Sequence, residues 1–262
     1  MLTNYHSHTH RCKHAIGTER QYVENAVKAG LQVFGFSDHS PYLFPKDYYS
    51  TFRMRPWELK YYVETVLALR KEYEGILEIP LGLELEYYPK FFPQLMDMLK
   101  DYPIDYLLLG QHFIGNEIED PYTGYAAADT TTLERYCNQC IEAFQTGVFT
   151  YFAHPDLVNF AGSQQNYREQ MRRLCREAKA CGVPLEYNLL GLGTRRHYPN
   201  PIFWEEAAVV GNKVILGWDA HAPSWVEQPE LEARADAFLR SLGLARIETL
   251  TLVRPRPRFL RG

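Results

Sequence analysis

Short, β-rich apolar runs alternate with longer amphipathic ones about seven times along this chain, a pattern that selects parallel β pairing through right-handed crossovers. The strand-type runs are "LTNYH", "QVFGFSD", "ILEIPLGLELE", "IDYLLLG", "TYFA", "PLEYN" and "KVILGW". Between them "TERQYVENAVKAG", "PWELKYYVETVLALRKEYEG", "YREQMRRLCREAKACG" and "IFWEEAAVVGN" carry helical spacing. Several of the predicted helices stop at a glycine (Gly30, Gly75, Gly147, Gly182, Gly211), the residue a C-terminal cap favours. No Ser/Gly-rich or Pro-rich linker divides the alternation, so residues 1–262 read as a single α/β domain. A composition of 46% hydrophobic and 23% charged residues excludes a disordered chain.

Ligand-type residues fall at the ends of those strands. His6 and His8 close the first, Asp38 and His39 the second, and Glu84 and Glu86 the third. His112 follows the fourth, His154 the fifth, and Asn188 with Arg195 to His197 the sixth; Asp219 and His221 close the last. In barrels the C-terminal strand ends and the loops after them converge, so residues far apart in sequence meet in one mouth. Imidazoles and carboxylates without paired thiolates suit zinc, manganese or iron. H-x-H and D-x-H are strand spacings that aim two side chains the same way. One ion needs three or four protein ligands; a set of about nine implies two or three ions, a multinuclear arrangement suited to phosphate-ester hydrolysis.

The remaining features narrow the class. Lys plus Arg is 28 against 32 Asp plus Glu, a net charge of -4, which argues against a nucleic-acid partner. There is no apolar run of about 18 residues, hence no membrane span expected. The start, "MLTNYHSH", lacks the layout of a signal peptide, and five cysteines without framework spacing suit reduced thiols, so a cytoplasmic location is expected. Cys137 and Cys140 form a C-x-x-C inside a helical pattern and read as ordinary helix residues.

The set "HSHTH", "SDHS", "GLELEYYP", "GQHF", "AHPD" and "GWDAH", in this order, resembles the PHP (polymerase and histidinol phosphatase) metal-dependent phosphoesterases. The stretch "HSHTHRCKHAIGTERQYVENAVKAGL", followed by "FSDHSP" and "RMRPWELKYYV", is similar to the histidinol-phosphatase branch. The resemblance implies a distorted, TIM-like (β/α)7 barrel with its metal site at the C-terminal ends of the strands. It implies three divalent ions (zinc, manganese or iron) held by His6, His8, His14, His39, Glu84, His112, His154, Asp219 and His221. His10 matches no role and reads as a loop residue, and Glu86 as an ordinary mouth carboxylate. The activity implied is phosphomonoester hydrolysis, with L-histidinol phosphate as the small-molecule substrate, in histidine biosynthesis. Glu84 is then a carboxylate shared between ions. Asp38 either orients a ligand imidazole or caps its loop.

Two departures affect the substrate side. Where the family often shows N-T-x-G-L-R, this chain reads "NLLGLGTRRHYPNP": Asn188 and Gly191 match, and the phosphate-binding arginine is displaced to Arg195 or Arg196. The basic residue expected after "HPDL" is missing, and Arg168 and Lys179 read as exposed helix residues. Other readings of the set are a nuclease or nucleotide phosphatase of the same family, and an inert accessory domain. The first needs a positive track for a polymer backbone; the second goes with lost ligands, whereas here every position is filled.

Overall fold

The computed structural model describes residues 1–45, 48–244 and 246–255. Seven strands, β1 (Thr3–Asn4), β2 (Val33–Phe34), β3 (Gly82–Leu85), β4 (Tyr106–Leu109), β5 (Phe149–Phe152), β6 (Leu185–Asn188) and β7 (Val214–Gly217), alternate with helices among the described residues. The helices are α1 (Glu19–Lys28), α2 (Leu59–Glu72), α3 (Phe92–Leu99), α4 (Thr130–Gln145), α5 (Gln164–Ala180), α6 (Leu189–Gly193), α7 (Pro201–Val210) and α8 (Pro229–Ser241). Strands β3 to β7 form one parallel sheet in sequence order and β1–β2 a second. Parallel bridges Phe36↔Leu81 and His39↔Glu84 tie the end of β2 to β3, and Ser7↔Ala220 ties the residues after β1 to those after β7.

Local chemistry sets the elements. Thr18 caps α1 in a reciprocal pair with Gln21, and Asp129, Ser163 and Asn200 cap α4, α5 and α7. Each satisfies amide hydrogens that a helix start leaves without partners. All five glycines read as helix stops have positive φ, from 67° to 80°. Cys137 and Cys140 lie buried in α4, as expected, and burial pushes the Cys137 thiol up to about 12, which makes it inert.

Alternation along the strands divides the interior in two. Leu107 and Leu109 of β4 join the large apolar core shared with the helices, while Tyr106 and Leu108 join a smaller cluster with Tyr5, Val33, Tyr151, Ala153 and Ile215. Successive strand residues point to opposite faces, so Glu84 and Glu186, flanked by core leucines and a tyrosine, share the inner face with that cluster. The Tyr106 ring occupies space left by Gly35 and Gly82, and its hydroxyl bonds the carbonyls of Tyr5 (2.7 Å) and Phe36 (3.1 Å). Above this apolar plug the inner face becomes polar. No helix among the described residues is long and apolar enough to cross a membrane.

Candidate metal centre

Glu84 is the hub of the polar end. Its Oε1 lies 3.0 Å from His154 Nε2 and 3.7 Å from His112 Nε2. Its Oε2 lies 3.1 Å from His39 Nδ1, 3.3 Å from His8 Nε2 and 3.5 Å from His6 Nε2. Asp219 Oδ1 approaches the same group from β7, 3.1 Å from His8 Nε2 and 3.5 Å from His6 Nε2. His14 joins at the outer edge, where its Nε2 is 2.9 Å from His221 Nε2. All nine residues expected as ligands therefore meet in one cluster, whereas His10 is exposed and outside it.

The backbone bends to deliver two of them. His154 (φ 29°) and Asp219 (φ 51°) stand in the left-handed region just beyond β5 and β7. Side chains rarely adopt it, and such residues, each costing about 1–3 kcal/mol, collect at functional sites. Glycines make the room. A Cβ at Gly110, after β4, would overlap the Glu84 carboxylate, and one at Gly217 would overlap Glu186.

Hydrogen bonds fix which imidazole nitrogen faces inward. His6 Nδ1 donates to Glu186 Oε2 (2.8 Å) and His112 Nδ1 to Glu86 Oε1 (2.8 Å). His14 Nδ1 donates to the Cys12 carbonyl (2.8 Å) and His221 Nδ1 to the Asp219 carbonyl (2.9 Å). Because carboxylates and carbonyls only accept, each of these rings in its neutral form presents Nε2 as a lone pair to the cluster. Asn188 locks the frame from below, donating to Glu186 Oε1 (2.8 Å) and Asp219 Oδ2 (3.1 Å). Asp38 Oδ1 accepts from the His39 amide (2.8 Å) and lies 3.5 Å from His8 Nδ1. Asp38 thus holds the backbone at His39, and its approach to the His8 ring falls short of a hydrogen bond.

This donor set fits divalent ions. His14 and His221 point lone pairs at each other across 2.9 Å, which is repulsive unless a cation or a proton lies between them. His8 Nδ1, His39 Nδ1, His154 Nδ1 and Glu84 Oε2 are buried without hydrogen-bond partners among the described residues. Groups of three donors that could hold an ion include His6–Glu84–His154, His6–His8–Asp219, His8–His39–Glu84 and His14–His39–His221. The charges pull both ways: burial disfavours a proton on His6 and His8, but the carboxylates beside them raise both well above the ordinary imidazole value, so a bound cation would have to displace protons from these rings. Burial alone would raise the Glu84 carboxyl, but the imidazoles of His39, His6 and His112 hold it well below its ordinary value. Burial likewise opposes ionisation of Asp219, yet His6 and His8 hold it low. Burial and the neighbouring His8 push His221 down to about 3, so its ring stays neutral.

Two expectations change. Glu86 is no ordinary mouth carboxylate: it is fully buried, holds His112 Nδ1 and pairs with the buried Arg53 at 2.9 Å. Burial raises the Glu86 carboxyl, and Arg53 and His112 outweigh it, keeping it ionised. Both candidate arginines are exposed, and of the two Arg196 lines the cavity over the cluster while Arg195 does not. Arg168 and Lys179 are tied up elsewhere, on Glu205 and Glu206 and on the Val210 carbonyl. Sequence reasoning missed Glu186, whose signal was a carboxylate inside an otherwise apolar strand run. It also missed the cavity's aromatic wall of Phe52, Phe113, Tyr122 and Tyr198, which encloses about 410 Å³.

Comparison with known proteins agrees with this architecture. The PHP domain family matches residues 4–189. A probable histidinol-phosphatase from Deinococcus radiodurans is 30% identical over 234 residues, covering 86% of this chain and 88% of its own. Histidinol-phosphatase from Bacillus subtilis is 26% identical, with 82% and 92% covered. Among solved structures, histidinol phosphate phosphatase from Lactococcus lactis, complexed with zinc, L-histidinol and phosphate, superposes with a TM-score of 0.75 at 20% identity over 97% of this chain and 98% of that one. With the family matched over most of its length and the ligand constellation assembled at its strand ends, the chain belongs to the PHP domain family, in its histidinol-phosphatase branch.

Proposed function

We propose that this protein is a metal-dependent phosphomonoesterase whose substrate is L-histidinol phosphate. The observation that carries the reading is a cavity lined by six imidazoles and two carboxylates, with His6 behind them and, among the described residues, Arg196 the one Lys or Arg side chain on its wall. Three divalent ions, of zinc, manganese or iron, match nine donors. Bound there, such ions supply an acidified water as nucleophile and neutralise charge on the phosphoryl oxygens. The chain's own part is positioning. Glu84 presents two oxygens to five rings, Glu186 and Glu86 keep His6 and His112 in the correct tautomer, and Asp38 holds the His39 backbone through its amide. Arg196 would take the phosphoryl oxygens as a charged fork.

Phe52, Phe113 and Tyr122 line the cavity and would face the leaving group. Aromatic faces suit a cationic, imidazole-bearing alcohol. A single basic residue on the wall is no track for a polymer backbone, which speaks against a nuclease. The relatives named above share the substrate side of this reading. We also read the bridges beside β3 and β7 as closing a distorted (β/α)7 barrel, the whole chain as one domain, and its free cysteines as those of a cytoplasmic protein.

Purified protein should approach three divalent ions per chain by elemental analysis. It should turn over histidinol phosphate well ahead of AMP, with an oligonucleotide inert and chelation abolishing activity. A fully loaded preparation with one ion, or preference for the oligonucleotide, would overturn the proposal. The arginines give a sharper test. Arg196→Ala should lower kcat/KM by about 10²-fold, the loss of one charged contact, with metal content unchanged. Arg195→Ala and the helix-surface Arg172→Ala, whose partner is Glu206, should behave as wild type. Equal losses at Arg195 and Arg196 would contradict the placement of the loop.

A further inference from the structure

Arg196 Nη1 donates to the Tyr198 hydroxyl at 2.7 Å. A guanidinium has no lone pair to offer, so in this contact the phenol oxygen accepts and its own hydrogen points elsewhere. Among the described residues nothing accepts that hydrogen. Tyr198 is only 1% exposed and lines the cavity, its ring 5.9 Å from that of His154. A buried donor without an acceptor is costly, and the cavity is where an acceptor can arrive. Burial and the Asp219 carboxylate raise the phenol's pKa, so the hydrogen is present at any working pH.

The loop is built to hold this pair. Gly191 of α6 lies flush against the tyrosine, since a Cβ there would sit 2.6 Å from Tyr198 Cε2. The Arg196 amide bonds the Gly191 carbonyl at 3.0 Å, and His197 Nε2 bonds the Leu157 carbonyl at 2.6 Å. No described carboxylate lies within ion-pair distance of Arg196, so its protein partner is a neutral hydroxyl and its charge is left for a ligand.

We propose that Tyr198 donates its hydroxyl hydrogen to a non-bridging oxygen of the substrate's phosphoryl group, side by side with Arg196. A neutral and a charged donor then grip the same group, and the phenol keeps its proton throughout. The inference rests on the phosphomonoesterase reading above and adds a residue to it.

Tyr198→Phe keeps the ring and removes the donor. Three measurements follow on the metal-loaded protein: kcat/KM on histidinol phosphate, kcat/KM on p-nitrophenyl phosphate, and calorimetric binding of inorganic phosphate. Both kcat/KM values should fall by a common factor of about 10 to 100, the range for a hydrogen bond to a charged group, and the Kd for phosphate should rise similarly. Metal content should stay at the wild-type level. A loss confined to histidinol phosphate, whose alkoxide leaves poorly, would move the hydrogen to the leaving oxygen and overturn the proposal. Unchanged phosphate binding would overturn it too. If the wild-type protein hydrolyses neither ester, the functional reading has failed, and the phosphate-binding comparison still decides the role of Tyr198.

Discussion

Glu84→Gln should cost about 10³-fold or more in kcat/KM, at least ~4 kcal/mol of transition-state stabilisation, and should strip metal from the protein. The reason is geometric. One carboxylate serves five imidazoles, with Oε1 toward His154 and His112 and Oε2 toward His39, His8 and His6. An amide keeps the shape but removes the charge, and turns one side of the fork into a donor facing lone pairs. Elemental analysis of the variant should show fewer than the wild-type number of ions, separating a metal role from a packing role. Glu86→Gln provides the contrast. The sequence reading expects it to be mild, but the carboxylate is buried between His112 Nδ1 and Arg53. An amide there still accepts from one neighbour but no longer neutralises the guanidinium. A loss of about 10- to 100-fold with most of the metal retained is expected, in line with the cost of removing a partner that orients a ligand. Full metal and full activity in Glu84→Gln would remove the hub from the model of this site.

The alternation of runs announces the parallel α/β architecture, and the ends of the runs announce the ligands, because both depend on spacing along the chain. His6-x-His8 and Asp219-x-His221 are visible for that reason. What spacing does not encode is which face of a strand meets which neighbour. Glu84 and Glu86 both read as strand-end carboxylates in "GLELE", and only the packing against β4 shows that one faces the ring of imidazoles while the other reaches His112 and Arg53. Glu186 was hidden in the same way: "PLEYN" reads as an apolar strand, and its partner His6 is 180 residues away. Helix α3, "FPQLMDML", is eight residues with a proline in its first turn, too short for periodicity to declare itself. Helix α8 carries a readable start, Pro229 with Glu230 and Glu232 in the first turn, but it follows the last ligand and holds none of them. In "GTRRHY" two arginines stand side by side, and nothing in the sequence chooses between them. The turn does: Arg195 takes φ 55°, and Arg196 lies over the Tyr198 ring at the cavity wall.

Gly110→Ala should disable the protein almost as completely as Glu84→Gln, although Gly110 carries no functional group. The residue closes "LLLG" after β4 and its amide bonds the Leu85 carbonyl at 3.0 Å, so the backbone is anchored beside Glu84. It is not among the glycines with positive φ, and alanine is therefore allowed by its backbone. The obstacle is the neighbour: an added Cβ would sit 2.6 Å from Glu84 Cδ and 2.8 Å from Cγ, and closer still to Oε1. Either the strands separate or the carboxylate swings off the imidazoles. Overpacking of this kind costs about 1–3 kcal/mol, less than most domains lose before unfolding, so a folded protein with little bound metal is the expected product. Activity should fall by roughly 10²-fold or more, since a carboxylate misplaced by an ångström no longer serves ions that need fixed geometry. A double-mutant cycle isolates the cause. In the metal-free protein, Gly110→Ala should lower stability in the wild-type background and have little effect where Glu84→Ala has already emptied the space, a coupling of about 0.5–3 kcal/mol measured by denaturant unfolding. Additive effects would mean that the glycine serves the β4 backbone itself. Wild-type metal content in Gly110→Ala would show that the Glu84 carboxylate can hold its ions from another rotamer.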